Sequence, residues 1–218
     1  MSIERGIDRI APWAGMIGTV VFAAAFLVNG ALRPGYNPLQ DYVSELSIGP
    51  QGWIQIINFM FLGVCLMLFA FGTLRAFPGE KPSRAGSALL MVIALCYFVS
   101  GPLVTDPASM FDNQQSAQGA LHGIFGAMVF ALSPICCFVF ARRFGASANW
   151  KRFQAWTLLA AIVMAAVVVL MKIAQPPSSA LNEWAGLIQR CSMLAFYAWV
   201  FAFSLCMKKS AGRNKNER

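Results

Sequence analysis

The sequence is poor in charged residues. Only 12% of its 218 residues are Asp, Glu, Lys or Arg, whereas 58% are hydrophobic. Soluble domains carry about 25% charged residues, so this balance excludes an ordinary soluble fold. A hydrocarbon core about 30 Å thick requires roughly 20 apolar residues in each spanning helix, and the chain has six such windows. The sequence therefore predicts an all-α integral membrane protein with six spans, at about 12–32, 53–74, 86–104, 119–141, 153–173 and 186–207.

The sequence also lacks the residue patterns of common cofactor sites. It contains a single histidine, His122, which excludes a three-histidine zinc site and a bis-histidine haem site. The six cysteines all fall inside the apolar windows and form no C-x-x-C pair, which disfavours disulfides and thiolate metal sites. No nucleotide-binding or G-x-S-x-G pattern occurs. The sequence predicts no cofactor, no metal and a single transmembrane domain over residues 1–218.

Basic residues are almost absent from one side of the predicted bundle. Fourteen of the 17 Lys and Arg residues precede span 1, join spans 2 and 3, join spans 4 and 5, or follow span 6. Only Arg33, Lys172 and Arg190 lie toward the other side. The positive-inside rule then places both termini, including the basic tail 208–218, on the cytoplasmic side of the cell inner (plasma) membrane. The net charge of +8 thus reports topology, and we expect no nucleic-acid partner.

Polar side chains are concentrated in the exoplasmic halves of the predicted spans and in the loop between spans 1 and 2. Charged groups in hydrocarbon are costly and usually face a bundle interior or a watery cavity. We therefore expect a polar pocket at this side of the bundle. Its predicted lining is Asn29, Arg33, Asp41, Ser44, Glu45, Asn58, Asp106, His122 and Arg190.

The loop sequence NPLQDYVSEL, residues 37–46, has two interpretations. Asp41, Ser44 and Glu45 are spaced i, i+3 and i+4, so a short helix would align them on one side. They then either cap and pair with arginines, or they bind a ligand or take part in catalysis. In the structural interpretation, a carboxylate of this loop or of Asp106 forms a salt bridge with an Arg or His of another span. In the catalytic one, His122 is a base that Asp106 orients, and Ser44 or a water is the nucleophile.

Several of these residues carry a resemblance to a known family. Pro34-Gly35-Tyr36 precedes Asp41-x-x-Ser44-Glu45-Leu46, Asn58 and Gly63 lie in span 2, Gly101 and Thr105-Asp106-Pro107 follow span 3, and Gly119-x-x-His122 opens span 4. This pattern resembles the domain of unknown function 998 family over roughly residues 12–207. The resemblance implies a six-helix prokaryotic membrane protein, with recurrent polar positions at Asp41, Ser44, Glu45, Asn58, Asp106 and His122. It implies no established reaction.

Three functions are compatible with the sequence. The first is binding or transport of a lipid head group or a small polar solute in the predicted pocket, with membrane lipids as partners. The second is an intramembrane hydrolase or transferase that uses His122, Asp106 and Ser44. The third is a structural or assembly role within the membrane. The sequence leaves the substrate and the oligomeric state open.

The distribution of basic residues predicts which loops a reagent can reach. In a background without the native cysteines, a membrane-impermeant thiol reagent added to intact cells should label Asn113→Cys and not Gly212→Cys, because only the first lies outside the cytoplasm. Labelling after permeabilisation is the control for expression of both variants. The reverse pattern would mean that the orientation is inverted.

Overall fold

The chain folds into six long helices, one at each of the six apolar windows. The computed structural model describes residues 2–77, 79–108 and 115–216, with side chains except at 2–5, 8 and 210–216. Two short 3₁₀ helices, Val43–Ser47 and Asn182–Trp184, lie in the connections. No strand occurs in the described ranges, which confirms the all-α prediction. The long helices are α1 (Ser2–Leu32), α2 (Gly52–Thr73), α3 (Arg84–Ser100), α4 (Ala117–Gly145), α5 (Lys151–Ala174) and α6 (Ala185–Asn216).

The helices alternate in direction, so the bundle has two distinct ends. At one end lies the connection between α1 and α2, residues 33–51, which we call the first loop. Leu187 at the start of α6 donates its N–H to the carbonyl of Leu39 in this loop, and Gln118 at the start of α4 donates to Pro102 after α3. We call this the first-loop end. The other end, which carries the connections α2–α3 and α4–α5 and the end of α6, is the tail end.

The outer surface of the bundle is apolar. Large side chains such as Trp156, Ile162 and Val169 of α5 and Ile124 of α4 are more than half exposed. Five of the six long helices, all except α3, have the length and hydropathy needed to cross a membrane. These features indicate a multi-pass membrane protein, because exposed apolar side chains of this size are stable against lipid.

The interior is packed with aromatic rings. Phe22 of α1 contacts Phe59, Tyr97 and Tyr197, with ring centroids 5.4, 5.9 and 5.4 Å away. The hydroxyl oxygens of Tyr97 and Tyr197 are 3.0 Å apart. Because lipid tails are as apolar as the side chains, close packing of this kind stabilises the bundle more than transfer from water does. A second cluster, nearer the tail end, consists of Phe69, Phe77, Phe140, Phe144, Trp150, Phe153, Trp199 and Phe203.

An ion pair joins the two connections at the tail end. Arg143 donates to the Glu80 carboxylate at 2.6 Å and to the Lys81 carbonyl at 2.7 Å, and Ser147 donates to the same carboxylate at 2.8 Å. The hydrogen bond from Arg143, with help from Ser147, holds the pKa of Glu80 below its ordinary value. This pair therefore stabilises the fold at neutral pH, and its contribution is lost as the pH falls through the lowered pKa.

Four helix ends differ by four residues or more from the sequence-based boundaries. Helix α1 begins at Ser2 instead of about residue 12, and α4 ends at Gly145 instead of about residue 141. Helix α3 ends at Ser100 instead of about residue 104, because Pro102 has no backbone N–H to continue the hydrogen bonds of the helix. Helix α6 continues to Asn216, so most of the predicted basic tail is helical. Asp112, Asn113 and Arg218 lie outside the described residues, as do the side chains of Arg5, Gly212, Arg213 and Lys215.

Candidate functional site

Arg190 connects α6 to the first loop. Its guanidinium donates to the carbonyl oxygens of Asp41 at 2.8 Å and Gly186 at 2.9 Å, and to the hydroxyl of Tyr36. The side chain is only 6% exposed, and its charge also faces the rings of Phe26 and Tyr36. Within the part of the chain that the structure describes, no carboxylate forms a salt bridge with it. Backbone carbonyls, a phenol and ring faces therefore stabilise this buried cation.

Arg33, which follows the end of α1, also binds backbone carbonyls of the first loop. It donates to the carbonyl oxygens of Glu45 at 3.1 Å and Ile48 at 2.5 Å. These carbonyls lie at the C-terminal end of the 3₁₀ helix Val43–Ser47, and the Glu45 carbonyl also accepts from the N–H of Ile48. A cation at this position also interacts favourably with the helix dipole. Arg33 therefore fixes the shape of the first loop.

The acids of the first loop accept from backbone N–H groups. Asp41 accepts from the N–H of Asn37 at 2.7 Å, and Glu45 accepts from those of Tyr42 at 2.8 Å and Ala108 at 2.9 Å. The predicted salt bridge between these carboxylates and an arginine of another helix is therefore wrong. The loop does fold down onto the bundle, but the arginines bind its carbonyls and the acids bind its amides.

Asp106 binds Ser116, the N-cap residue of helix α4. Its carboxylate accepts from the N–H of Ser116 at 2.7 Å and from the Ser116 hydroxyl at 2.9 Å, and that hydroxyl accepts from the N–H of Gly119 at 2.9 Å. A Cβ at Gly119 would lie 2.1 Å from the Asp106 carboxylate, which explains why a glycine opens this helix. The predicted pairing of Asp106 with His122 is not formed, because the carboxylate is used at the helix N-terminus.

Three amides of α1 and α2 are buried away from the loop. Asn58 donates to the carbonyl of Phe22 at 3.1 Å and to the side-chain oxygen of Gln55 at 3.3 Å. The amide nitrogens of Asn29 and Gln55 have no hydrogen-bond partner among the described residues. Asn29 and Asn58 were predicted to line the pocket, and neither lines the cavity described next.

A cavity of about 330 Å³ lies beneath the first loop, between α4, α5 and α6. Ser44 and His122 are the two predicted pocket residues that line it. Its volume is at the lower end of the range of about 300–1,000 Å³ that small-molecule sites occupy. Apart from Tyr97, whose hydroxyl contacts that of Tyr197, its polar side chains come from the first-loop end of the bundle: Tyr42, Ser44, Ser100, Thr105, His122, Lys172, Gln175 and Gln189. Its deeper walls are apolar and include Phe130, Val168, Met171 and Met193.

The cavity opens sideways through the surface of the bundle. Gly123, Ala127 and Ala131 of α4 line it and are exposed, and they are spaced four residues apart along one face. Lys172 and Gln175 of α5 line it and are exposed as well. Eight residues of helix correspond to about 12 Å, so the opening extends along the helix axis. This opening is therefore separate from the first loop.

His122 lies in the wall of this cavity and is 6% exposed. Its Nδ1 is 2.5 Å from the carbonyl oxygen of Leu103. A carbonyl oxygen only accepts hydrogen bonds, so the neutral ring carries its proton on Nδ1 and has an acceptor at Nε2. The ring also packs edge-on against Phe59. The backbone, in place of the expected Asp106, fixes the orientation of this imidazole.

Gln189 is a cavity residue that the sequence analysis missed. Its side-chain oxygen accepts from the N–H of Val43 at 2.8 Å, and its amide nitrogen makes no hydrogen bond within the described residues. Successive residues of a helix differ by about 100° in direction, so Gln189 faces the cavity while Arg190 faces the first loop. Gln189 and Met193 are four residues apart and therefore lie on the same face of α6. A glutamine one helical turn before an apolar residue is the signal that would have identified the cavity face of this helix.

Comparison with known proteins identifies the family of the chain. A family model described as "Protein of unknown function (DUF998)" matches residues 16–205, and the chain belongs to this family. No curated protein and no solved structure matches it. The cavity and its lining therefore have to be interpreted from their own geometry.

The two kinds of contact at the first loop predict different effects of substitution. Arg190→Gln should lower the stability by more than about 3 kcal/mol, because at least two charge-assisted hydrogen bonds of about 1.5–3 kcal/mol each are lost. Asp41→Asn should cost less than about 1 kcal/mol, because the Asp41 carbonyl is unchanged and the new amide oxygen still accepts from Asn37. Thermal unfolding in detergent gives the order. Equal destabilisation by the two substitutions would indicate a side-chain ion pair instead.

Proposed function

We propose that this member of the DUF998 family binds a membrane amphiphile in the cavity beneath the first loop. The head group occupies the polar end, near Ser44, His122 and Gln189. The hydrocarbon chain leaves through the side opening along Gly123, Ala127 and the facing wall of α5. The observation that carries this proposal is the combination of a polar end, apolar walls and a lateral opening in one cavity.

A small polar solute is the less suitable occupant of the same cavity. Most of the wall deeper than His122 is apolar, so a fully polar solute would leave its inner surface without hydrogen-bond partners. An amphiphile matches both halves of the cavity. It also reaches the site by diffusion in the bilayer, since the opening faces the apolar surface of the bundle.

We also propose that all six helices cross the membrane, with both termini in the cytoplasm. Helix α3 has 17 residues, or about 25 Å of helix, which is slightly less than the thickness of the hydrocarbon core. It nevertheless connects the tail end, where α2 ends, to the first-loop end, where α4 begins, so it has to traverse the same distance as its neighbours. The segregated basic residues support the orientation. The cavity then opens to the outer leaflet.

A second candidate function is hydrolysis of an ester in the bound amphiphile. Ser44 and His122 both line the cavity without a hydrogen bond to each other, and a neutral His122 that donates from Nδ1 to the Leu103 carbonyl has Nε2 as its acceptor. Ser44 Oγ would attack the ester carbonyl while His122 Nε2 takes its proton. The C–O bond to the alcohol then breaks, and the alcohol leaves with that proton. A water, activated by the same nitrogen, would hydrolyse the acyl-serine to a carboxylic acid and restore the hydroxyl.

Filling the cavity should abolish binding of the amphiphile. Gly126 lines the cavity and a Cβ there meets no atom within 4 Å, so the side chain of Gly126→Leu should occupy this open space. The substitution also favours the helix by about 1 kcal/mol, so the bundle should remain folded. Native mass spectrometry of protein extracted in mild detergent should find a retained lipid on the parent and at least tenfold less on the variant.

The matched control for this experiment is Ile124→Phe, which adds bulk to the exposed surface of the same helix, outside the cavity. It should retain lipid as the parent does. Equal lipid retention by Gly126→Leu and the parent would contradict the proposed binding site.

The hydrolytic candidate predicts a reactive serine. A fluorophosphonate probe, applied to the protein in vesicles, should label the parent and the Ser47→Ala control but not Ser44→Ala. His122→Gln should slow labelling about 100-fold or more, since an amide cannot accept the proton. Ser47 is a suitable control because its hydroxyl is bonded to the Ser44 carbonyl and lies outside the cavity lining. Absence of labelling on the parent, or equal labelling of Ser44→Ala, would exclude this candidate and leave the binding function.

A further inference from the structure

The polar end of the cavity offers hydrogen-bond donors that have no partners. The Gln189 oxygen is held by the N–H of Val43 at 2.8 Å, which turns the amide nitrogen and its two hydrogens away from that contact. Gln189 is only 8% exposed, and its nitrogen makes no hydrogen bond to a described residue. The Ser44 hydroxyl is likewise without a partner there. Lys172 donates only a long hydrogen bond of 3.4 Å, to Gln175.

No carboxylate among the described residues lines this cavity. The acids nearest to it in the chain are Asp41, Glu45 and Asp106. Each of them accepts hydrogen bonds from N–H or O–H groups of the loops and of the α4 N-terminus, as described above. Lys172 is therefore the only fully charged side chain in the described lining, and no acid there balances it.

We propose that the cavity binds an anionic phosphate group through Lys172, Gln189 and Ser44. This inference rests on the proposed function and gives the chemical class of its ligand. A phosphate presents several acceptor oxygens, which suit one ammonium, one amide NH₂ and one hydroxyl. A cationic head group would meet Lys172 with no acid to compensate. A neutral head group without acceptor oxygens would leave the Gln189 amide unsatisfied.

The phosphate can belong to a lipid or can be free in solution. The apolar wall beyond His122 favours the lipid, because a free phosphate gains nothing from contact with Met171 and Met193. A rival explanation is that Lys172 only extends to the membrane interface, as long basic side chains near helix ends commonly do. In that case its charge has no effect on which lipid is bound.

The test measures the thermal stability of purified protein in a neutral detergent with one additive at a time. The additives are phosphatidylglycerol, which has an anionic phosphate, diacylglycerol, which has none, and inorganic phosphate. Phosphatidylglycerol should raise the Tm of the parent and diacylglycerol should not. Lys172→Gln should weaken the apparent affinity for phosphatidylglycerol about tenfold, and Lys172→Arg should restore most of it. Gln189→Glu, which still accepts from Val43 but adds a negative charge, should weaken it further.

Two controls separate the cavity from other basic surfaces. Lys151→Gln removes an exposed charge at the tail end and should leave the response to phosphatidylglycerol unchanged. Gly126→Leu should abolish the response, because the cavity is filled.

The outcomes distinguish the two proposals. If Gly126→Leu abolishes lipid retention but Lys172→Gln responds to phosphatidylglycerol as the parent does, the amphiphile site stands and the phosphate inference is overturned. If Gly126→Leu changes neither retention nor response, the proposed function itself fails. An equal, Lys172-dependent response to inorganic phosphate would support a phosphate site and assign it to a soluble ligand.

Discussion

The buried guanidinium of Arg190 is the interaction on which the first-loop end depends. A cation that is 6% exposed is costly to bury unless polar groups surround it, and here the Asp41 and Gly186 carbonyls and the Tyr36 hydroxyl do so. Burial raises the pKa of Tyr36 to about 12, so the phenol stays neutral and donates its own proton to the Tyr42 carbonyl at 3.0 Å. A Cβ at Gly186 would lie 2.3 Å from the Asp41 carbonyl, so the loop approaches α6 only because that residue is glycine.

This anchoring of the loop also forms the roof of the cavity. Once Asp41 is fixed on α6, the next three residues, Tyr42, Val43 and Ser44, line the space between α4 and α6. The N–H of Val43 then orients the amide of Gln189, which immediately precedes Arg190 in the helix. Two adjacent residues of α6 therefore have separate tasks: one holds the loop, and the other presents a donor to the cavity. The shape of the roof and the chemistry of the cavity are thus coupled through the backbone.

Hydropathy was sufficient to predict the helical class and the approximate helix positions, because a long apolar window can adopt few structures other than a membrane-spanning helix. The contacts of the polar residues were harder to predict. Opposite charges on Asp41 and Arg190 suggested a salt bridge, whereas the arginine binds the carbonyl of that same residue. Every residue carries a carbonyl and nearly every one an N–H, so a sequence cannot indicate which of them approaches a side chain. The choice of Gln189 over Arg190 as the cavity residue likewise depends on helix rotation, which only the packing of α6 against its neighbours determines.

The side opening lies beside α5, the most exposed of the membrane-length helices. Only 22% of its apolar window is buried, against 39–50% for the other four membrane-length helices. One face of α5 meets α6, where Trp199 donates to Thr157 at 3.1 Å and fixes the two helices near their tail-end halves. Toward the first-loop end, α4 presents Gly123, Gly126 and Ala127, which have too little side chain to fill the space beside Val168 and Met171. A helix that is held at one end and faces small residues at the other leaves a gap, which the proposed amphiphile would fill. The gap lies beside the unpaired donors of the first-loop end, so an amphiphile that fills it also meets its polar partners.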